Sequence, residues 1–278
     1  MKTHKKSILY MNMIFALFFF AAPLFTQTMT VDNQVNLFDT ENLSELMSFV
    51  QPFDRKAVLY AQVDTVVIEK NGTQKTMAYE LFSTREEDIV TLMIHVHNAK
   101  GYDNTRLLIT LNETSGHVSA SVMMPFFFTP LRIKTLSPST PFFFSDFIAE
   151  DITPRHVASD SYRLIAQDTS DDTQNNCLIV ECIPNGNSNY AKMIYYIDTN
   201  TMLAMKTELY DSKNQKVKVL EVLDTATPND IVSATVLKMS DLQNNSYTLV
   251  TFTDIVYHTD VSRFTCEQYL KTGNADNP

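Results

Sequence analysis

The chain has 278 residues, a formal net charge of −10, 44% hydrophobic residues and only 5 glycines. This length suits one large or two small domains, and the hydrophobic fraction is sufficient for a substantial core. The few glycines form neither a GxGxxG nor a GxxxxGK[ST] pattern, and the acidic balance argues against nucleic acid or an anionic lipid surface as a partner. We therefore expect neither a nucleotide cofactor nor a nucleic-acid ligand.

The first 28 residues have the composition of an export signal. Three lysines precede a short apolar stretch at residues 14–25, and a membrane-spanning helix needs about 20 apolar residues. The cleavage site is weakly marked, so an uncleaved N-terminal anchor remains the alternative. We predict a signal peptide over residues 1–28, possible retention of this segment as an anchor, and a single domain over residues 29–278.

A short amphipathic helix is predicted at residues 40–50, and the pattern then changes to β-strands. Segments rich in Val, Ile, Leu and Tyr are separated by turn sequences such as Asn71-Gly72, the strongest short hairpin signal. The predicted strands are residues 57–70, 76–84, 89–96, 106–112 and 117–124, with seven more between residues 161 and 257. About a dozen antiparallel strands are too many for one flat sheet, so the sheet must curl or close. A second helix is predicted at residues 262–270.

One long interruption, residues 136–158, separates the two series of strands at the point where a curved sheet would need a cover. Beside it the sequence Pro-Phe-Phe-Phe occurs twice, at residues 125–128 and 141–144. A fully exposed Phe shows about 200 Å² to water. Six would show about 1,200 Å², roughly twice the largest apolar patch of a typical monomer. We predict that most of these rings are buried, in the protein core or against an apolar ligand.

The histidines give a weak metal signal. His95 and His97 form a His-x-His pair whose rings share one face of a predicted strand, and His117 could join them from a nearby strand. No carboxylate or cysteine is placed beside them by the sequence. Surface histidines without a ligand are therefore the favoured interpretation, and no metal is predicted.

The three cysteines are Cys177, Cys182 and Cys266. The first two are five residues apart on a predicted strand and point to opposite faces, which prevents easy pairing between them. A disulfide from Cys266 to one of them stays open as an alternative, but buried thiols are favoured. The absence of a CxxC sequence argues against a zinc ribbon or a thioredoxin-like motif.

The sequence SDFIAEDI, residues 145–152, resembles the Gly-Ser-Asp-Phe-x-x-Glu-Asp-Leu motif of the LolA-like outer-membrane lipoprotein-sorting family, and also its spirochaete-type uncharacterised branch. The segments that are similar in the same order are LRIKTL at 131–136, the hairpin at 195–222 and the C-terminal ending at 252–270. The resemblance covers about residues 55–272. It departs from the family where Phe144 replaces Gly and where Pro130-Leu131 replaces part of a basic pair.

This resemblance implies a mainly β protein, a curved antiparallel half-barrel covered on its open side by short helices. It implies an apolar cavity that takes the acyl chains of lipoproteins or related lipids and a role in carrying them across the periplasm. An inner-membrane donor and an outer-membrane acceptor are implied as partners without being identified. The sequence contains no GxSxG, HExxH or Cys-His catalytic signature, so we predict neither an enzyme activity nor a cofactor.

The predicted site has an apolar part and a polar rim. The residues predicted to line or gate the cavity are Phe126, Phe128, Ile133, Phe142, Phe144 and Phe147, with Phe126 and Phe128 on one face of a strand. The residues of the polar rim are Arg132, Lys134, Ser145, Asp146, Glu150 and Asp151. We interpret the three carboxylates as structural, with Ser145 or Asp146 capping a short helix and Arg132 or Lys134 as an ion-pair partner. The alternatives are a membrane-anchored envelope scaffold and a lipid- or glycan-acting hydrolase that uses these carboxylates.

Overall fold

The computed structural model describes residues 43–50, 59–153, 160–168, 177–257 and 262–273. All of them fall within the unit Leu37–Pro278. The predicted signal peptide lies outside the described residues. Among the helices that the structure describes, none is long and apolar enough to cross a membrane.

Thirteen strands make up most of this structure, and all their pairings are antiparallel. The strands are β1 (Leu59–Ile68), β2 (Gln74–Glu86), β3 (Ile89–Asn98), β4 (Arg106–Asn112), β5 (His117–Met123), β6 (Leu131–Ile133), β7 (Ser161–Asp168), β8 (Cys177–Ile183), β9 (Lys192–Asp198), β10 (Leu203–Tyr210), β11 (Lys216–Ala226), β12 (Ser233–Asp241) and β13 (Ser246–Tyr257). The helices are α1 (Leu43–Phe49), α2 (Ala149–Ile152) and α3 (Arg263–Thr272), and a 3-10 turn spans Pro228–Asp230. The predicted series of strands with few helices is confirmed.

All thirteen strands belong to one sheet, in the order β6-β5-β4-β3-β2-β1-β13-β12-β11-β10-β9-β8-β7. β1 and β13, the first and last of the described strands, are therefore neighbours near the centre of the sheet. The two edges, β6 and β7, are consecutive in sequence and do not pair in the part of the chain that the structure describes. The sheet is consequently open, because a closed barrel would require its edge strands to pair.

The sheet is strongly curved. Ile94 of β3 and Met193 of β9 belong to one buried core cluster, although seven strand steps separate these strands in the sheet order. In a flat sheet with strands about 4.8 Å apart, the two would lie about 34 Å from each other. Only curvature that brings the two halves round a common concave face allows a shared core, so the predicted curved antiparallel half-barrel is confirmed.

Two helices cover other parts of the sheet. Leu43, Met47 and Val50, in and just after α1, pack against Leu178 and Ile197 of β8 and β9. Helix α3 packs against β2 to β5 through a second cluster. The residues of this cluster are Met93, Leu108, Met123, Cys266, Tyr269 and Leu270, with Phe82 beside them. Both predicted helices are present: α1 lies within the predicted residues 40–50, of which residues 40–42 are outside the described ranges, and α3 ends two residues later than predicted.

The cysteines remain thiols. Each of Cys177, Cys182 and Cys266 lies within the described ranges, and none of them is in a disulfide. Cys182 and Cys266 are buried, as favoured by the sequence, whereas Cys177 is half-buried. Burial raises the pKa of the Cys266 thiol to about 12, so this group is a protonated part of the packing at neutral pH.

Candidate functional site

A cavity of about 220 Å³ lies on the concave face of the sheet, beneath the segment that crosses its open side. Alternate residues of each strand point towards it, because neighbouring side chains on a strand face opposite ways. Those from β2 and β3 are Tyr79, Leu81, Ser83, Val90, Leu92 and Ile94. Those from the other half of the sheet include Met193, Leu209, Leu220, Leu237, Val250 and Phe252. Aliphatic and aromatic side chains therefore form most of the lining.

The crossing segment, residues 136–153, is called the cover and belongs to the connection between β6 and β7. A tight turn reverses it: the Phe142 amide donates to the Phe147 carbonyl at 2.9 Å, and the Ser145 hydroxyl donates to the Phe142 carbonyl at 2.7 Å. The turn directs Phe142 and Phe147 towards the sheet, where both are buried. The Phe142 ring meets the Tyr79 ring edge-on, with centroids 6.1 Å apart.

The predicted apolar residues separate into two groups. Phe142 and Phe147 line the cavity, and Phe144 packs beside the same core with its ring 6.3 Å from that of Tyr102. Ile133 is half-buried on edge strand β6 and is not part of the lining. Phe142 is therefore the one member of the second Phe triplet that lines the cavity, together with Phe147 of the same segment.

The first Phe triplet lies outside the cavity. Phe126 and Phe128 are 91% and 99% exposed and Phe127 is 53% exposed. The residues occupy a loop rather than a strand, because Pro125 and Pro130 have no amide hydrogen to donate to a strand ladder. The predictions that most of the six rings are buried, and that Phe126 and Phe128 share a strand face along the cavity, are therefore wrong for this triplet.

Two of the predicted carboxylates bind the cover to the rest of the molecule. Asp146 accepts a hydrogen bond from the Thr248 hydroxyl at 2.6 Å and one from the Ser246 hydroxyl, both on β13. Glu150 accepts from the Asn189 amide at 2.8 Å and from the Ser188 hydroxyl. Asp146 therefore attaches the turn to β13, and Glu150 attaches α2 to the loop before β9.

The third carboxylate, Asp151, is the centre of a buried polar group. It accepts from the Tyr190 hydroxyl at 2.7 Å, from Lys218 Nζ at 3.2 Å and from the Ile148 amide at 2.9 Å. Burial raises the pKa of Asp151, and the positive charge of Lys218 opposes that rise. Lys218 Nζ also donates to the Asp146 carbonyl at 2.7 Å. We call Asp151, Tyr190 and Lys218 the clasp, because together they hold the cover against β11.

The polar rim differs from the sequence prediction in its partners. Arg132 and Lys134 are exposed on and after β6, and Lys218 takes the predicted role of the cation beside the acids. Neither Ser145 nor Asp146 caps α2, because Asp151 itself accepts from the Ile148 amide at the start of that helix. Lys218, Tyr190 and Thr248 were not found from the sequence, since they lie 39 to 102 residues from their partners.

A family model described as an uncharacterized protein matches residues 90–272, which is more than half of the chain. No curated protein matches the chain. A solved DUF1329 family protein from Desulfovibrio piger has a TM-score of 0.73 and 19% identity, over 84% of this chain and 98% of that one.

Two further solved structures have the same fold. A domain described as an outer-membrane lipoprotein-sorting protein, from Vibrio parahaemolyticus, has a TM-score of 0.72 and 19% identity, over 82% of this chain and 99% of that one. A LolA superfamily protein from Nitrosomonas europaea has a TM-score of 0.63 and 14% identity, over 83% of this chain and 96% of that one. At these identities the likeness shows the fold, so the LolA-like fold implied by the resemblance is confirmed.

Loss of the clasp should weaken the attachment of the cover to the sheet. Replacement of Lys218 by Met leaves the Asp151 carboxylate buried without its cation, and breaking a buried pair costs about 3 to 5 kcal/mol. We expect the Lys218→Met variant to unfold at lower urea concentration. We also expect faster amide hydrogen exchange over residues 142–152.

Lys238→Met is the matched control, since the Lys238–Glu221 pair is 3.7 Å apart and its side chains are 33% and 36% exposed. An exposed pair of this kind contributes about 0 to 1 kcal/mol. Equal small losses in the two variants would show that the clasp does not hold the cover.

Proposed function

This chain belongs to the uncharacterized family whose model matches residues 90–272, and we propose that it is a periplasmic carrier that binds the acyl chains of lipoproteins or related lipids. The observation that carries the proposal is the apolar cavity between the concave sheet and the cover. The cargo class is supported by the LolA-like fold and by the lipoprotein-sorting description of the Vibrio parahaemolyticus domain.

The cavity suits a ligand that is recognised by burial rather than by hydrogen bonds. Apolar surface removed from water contributes about 25 cal/mol per Å², so one long acyl chain gains several kcal/mol before ordering costs are subtracted. The aliphatic lining of β2, β3 and β10 to β13 can supply this contact. Such a site selects for the chain of a lipid and tolerates different head groups.

Uptake of cargo requires the cover to move. Sites for drug-sized ligands measure about 300 to 1,000 Å³, and the cavity of about 220 Å³ is smaller. Phe142 and Phe147 belong to the cover and form its wall of the cavity. Outward movement of residues 136–153 therefore enlarges the cavity. Release then depends on an acceptor that binds the cargo more tightly, since the sequence has no nucleotide-binding motif to drive the step.

The exposed loop that carries the first Phe triplet supports a carrier that binds to a membrane surface. Met124, Phe126, Phe127, Phe128 and Leu131 are all exposed and close together in the sequence, and exposed clusters of large apolar side chains mark interaction sites. The chain has no acidic residue between Glu113 and Asp146, whereas Arg132 and Lys134 fall within this interval and are exposed. The charge of this interval is thus opposite to the acidic balance of the whole chain, and apolar rings with neighbouring cations suit the head-group region of an anionic bilayer. The loop thus provides the contact with the acceptor membrane.

Filling the cavity tests cargo binding without placing a charge in the core. Ala204 and Ala234 both line the cavity, and Ala204→Phe and Ala234→Phe occupy space that the acyl chain needs. We expect the protein purified from the cell envelope to hold acyl lipid in lipid mass spectrometry. We expect each filled variant to hold at least tenfold less, with its cooperative thermal unfolding retained.

The double variant Phe126→Ser, Phe128→Ser is the control, because both rings lie outside the cavity. It should hold as much lipid as the unaltered protein. Absence of lipid from every sample, together with no displacement of a fluorescent fatty acid, would contradict the carrier proposal and favour the scaffold interpretation.

The same double variant should lose contact with the membrane. Burial of a Phe side chain contributes about 1.5 to 3 kcal/mol, and about 1.4 kcal/mol changes an equilibrium tenfold. We expect it to bind vesicles of phosphatidylethanolamine and phosphatidylglycerol at least tenfold more weakly in a flotation assay. Leu223→Ser is the control, since this residue is 53% exposed on β11, outside the Phe loop. Unchanged vesicle binding by the double variant would exclude the triplet as the membrane contact.

A further inference from the structure

A cluster of potential metal ligands lies on the face of the sheet opposite to the cavity. Tyr79 and Leu81 of β2 line the cavity, so Glu80 between them faces the other way, and the strand register pairs it with His95 of β3. His97 follows two residues later. One ligand atom from each of Glu80, His95 and His97 lies within 4.8 Å of the other two.

The distances between these atoms are near those of a coordination site. Glu80 Oε2 lies 3.1 Å from His97 Nε2 and 3.9 Å from His95 Nδ1. Ligand bonds of about 2.0 to 2.1 Å in tetrahedral geometry require separations of about 3.3 Å. The Glu80–His97 separation is close to this value, whereas the separation of 3.9 Å between Glu80 and His95 must shorten when the metal binds.

We propose that Glu80, His95 and His97 form a binding site for Zn²⁺. Two imidazoles and one carboxylate are a ligand set that zinc uses when its fourth position remains open to water. The Glu80, His95 and His97 side chains are 25%, 12% and 44% exposed, so the site is partly sheltered and can be entered beside His97. This site is separate from the cavity and does not depend on the proposed cargo.

Two tyrosines position the carboxylate. The Tyr60 hydroxyl donates to Glu80 Oε1 at 3.3 Å, and the Tyr269 hydroxyl of α3 donates to Glu80 Oε2 at 3.0 Å. Hydrogen bonds of this kind orient the ligands of a metal site. The Tyr269 hydroxyl is also 2.9 Å from His95 Nδ1, and binding of the metal at that nitrogen replaces this contact.

The charges around the site act in opposite directions. The strand register pairs Arg106 of β4 with His95, which places a guanidinium beside the site. Its positive charge opposes a second cation. The Glu80 carboxylate supplies the negative charge that offsets Arg106.

The test is a zinc titration of the protein as purified from the envelope, after removal of metal with a chelator. We expect one Zn²⁺ per chain by isothermal titration calorimetry, and tetrahedral visible absorption when Co²⁺ replaces it. Glu80→Gln and His97→Gln each remove one ligand and should weaken the affinity at least tenfold. His117→Gln removes an exposed histidine on β5, outside the cluster, and should leave the affinity unchanged.

Tyr269→Phe separates metal binding from a purely structural hydrogen-bond cluster. The hydroxyl is not a ligand, so this variant should retain Zn²⁺ affinity to within about threefold even if its thermal stability falls. The proposal is overturned if Glu80→Gln and His97→Gln bind zinc as well as the unaltered protein does. It is also overturned if the unaltered protein binds less than one Zn²⁺ per chain. Lipid content in each variant is measured in parallel, because loss of zinc with retained lipid distinguishes the two sites.

Discussion

The pairing of β1 with β13 is the constraint on which the rest of the structure depends. The first six strands and the last seven form two consecutive meanders, and this pair, with partners such as Val66 and Leu249, joins them into one sheet. The joined sheet curls until Ile94 and Met193 share a core. An apolar concave face results, and its two free edges are adjacent in sequence, so the chain must cross the open side between them.

The way the cover is held combines two interactions with different consequences for opening. Phe142 and Phe147 are buried, and exposing them to water costs hydrophobic free energy. Asp151 and Lys218 have 4% and 11% exposed side chains, and water restores their solvation when they separate. A buried ion pair adds little net stability but fixes geometry, because desolvation offsets the attraction. The clasp therefore determines the position in which the cover closes. Burial of the two rings supplies most of the free energy that keeps it closed, and an apolar cargo can replace the contacts of those rings.

The parts that sequence predicted correctly are those encoded by local pattern. The hairpin at Asn71-Gly72 forms as expected, with Gly72 at φ 81° and its amide bonded to the Glu69 carbonyl at 2.8 Å. Strand alternation likewise predicts the meanders, because side-chain direction repeats every two residues. The cover was located from the gap that it leaves between strands.

The parts that sequence did not predict depend on contacts between distant strands. Lys218 meets Asp151 across 67 residues, and no local pattern distinguishes it from Lys216, the other lysine of β11. Glu80 joins His95 only through the register of β2 with β3. A pattern of residue types identifies which face a side chain takes, whereas the identity of its partner depends on register and curvature. The polar partners were therefore accessible only from the structure.

The two Pro-Phe-Phe-Phe sequences show how context decides the environment of identical residues. The second is followed by Ser145 and Asp146, which close a turn and bond it to Thr248, so its rings are directed into the core. The first is followed by Thr129 and Pro130 and leads into β6, a strand of only three residues at the sheet edge. β6 is the outermost strand on that side of the sheet, so within the described part of the chain no further strand lies beside it to cover the rings of the first triplet. The same four-residue sequence thus contributes to the wall of the internal cavity at one position and to an exposed apolar surface at the other. These are the two kinds of contact that a lipid carrier needs.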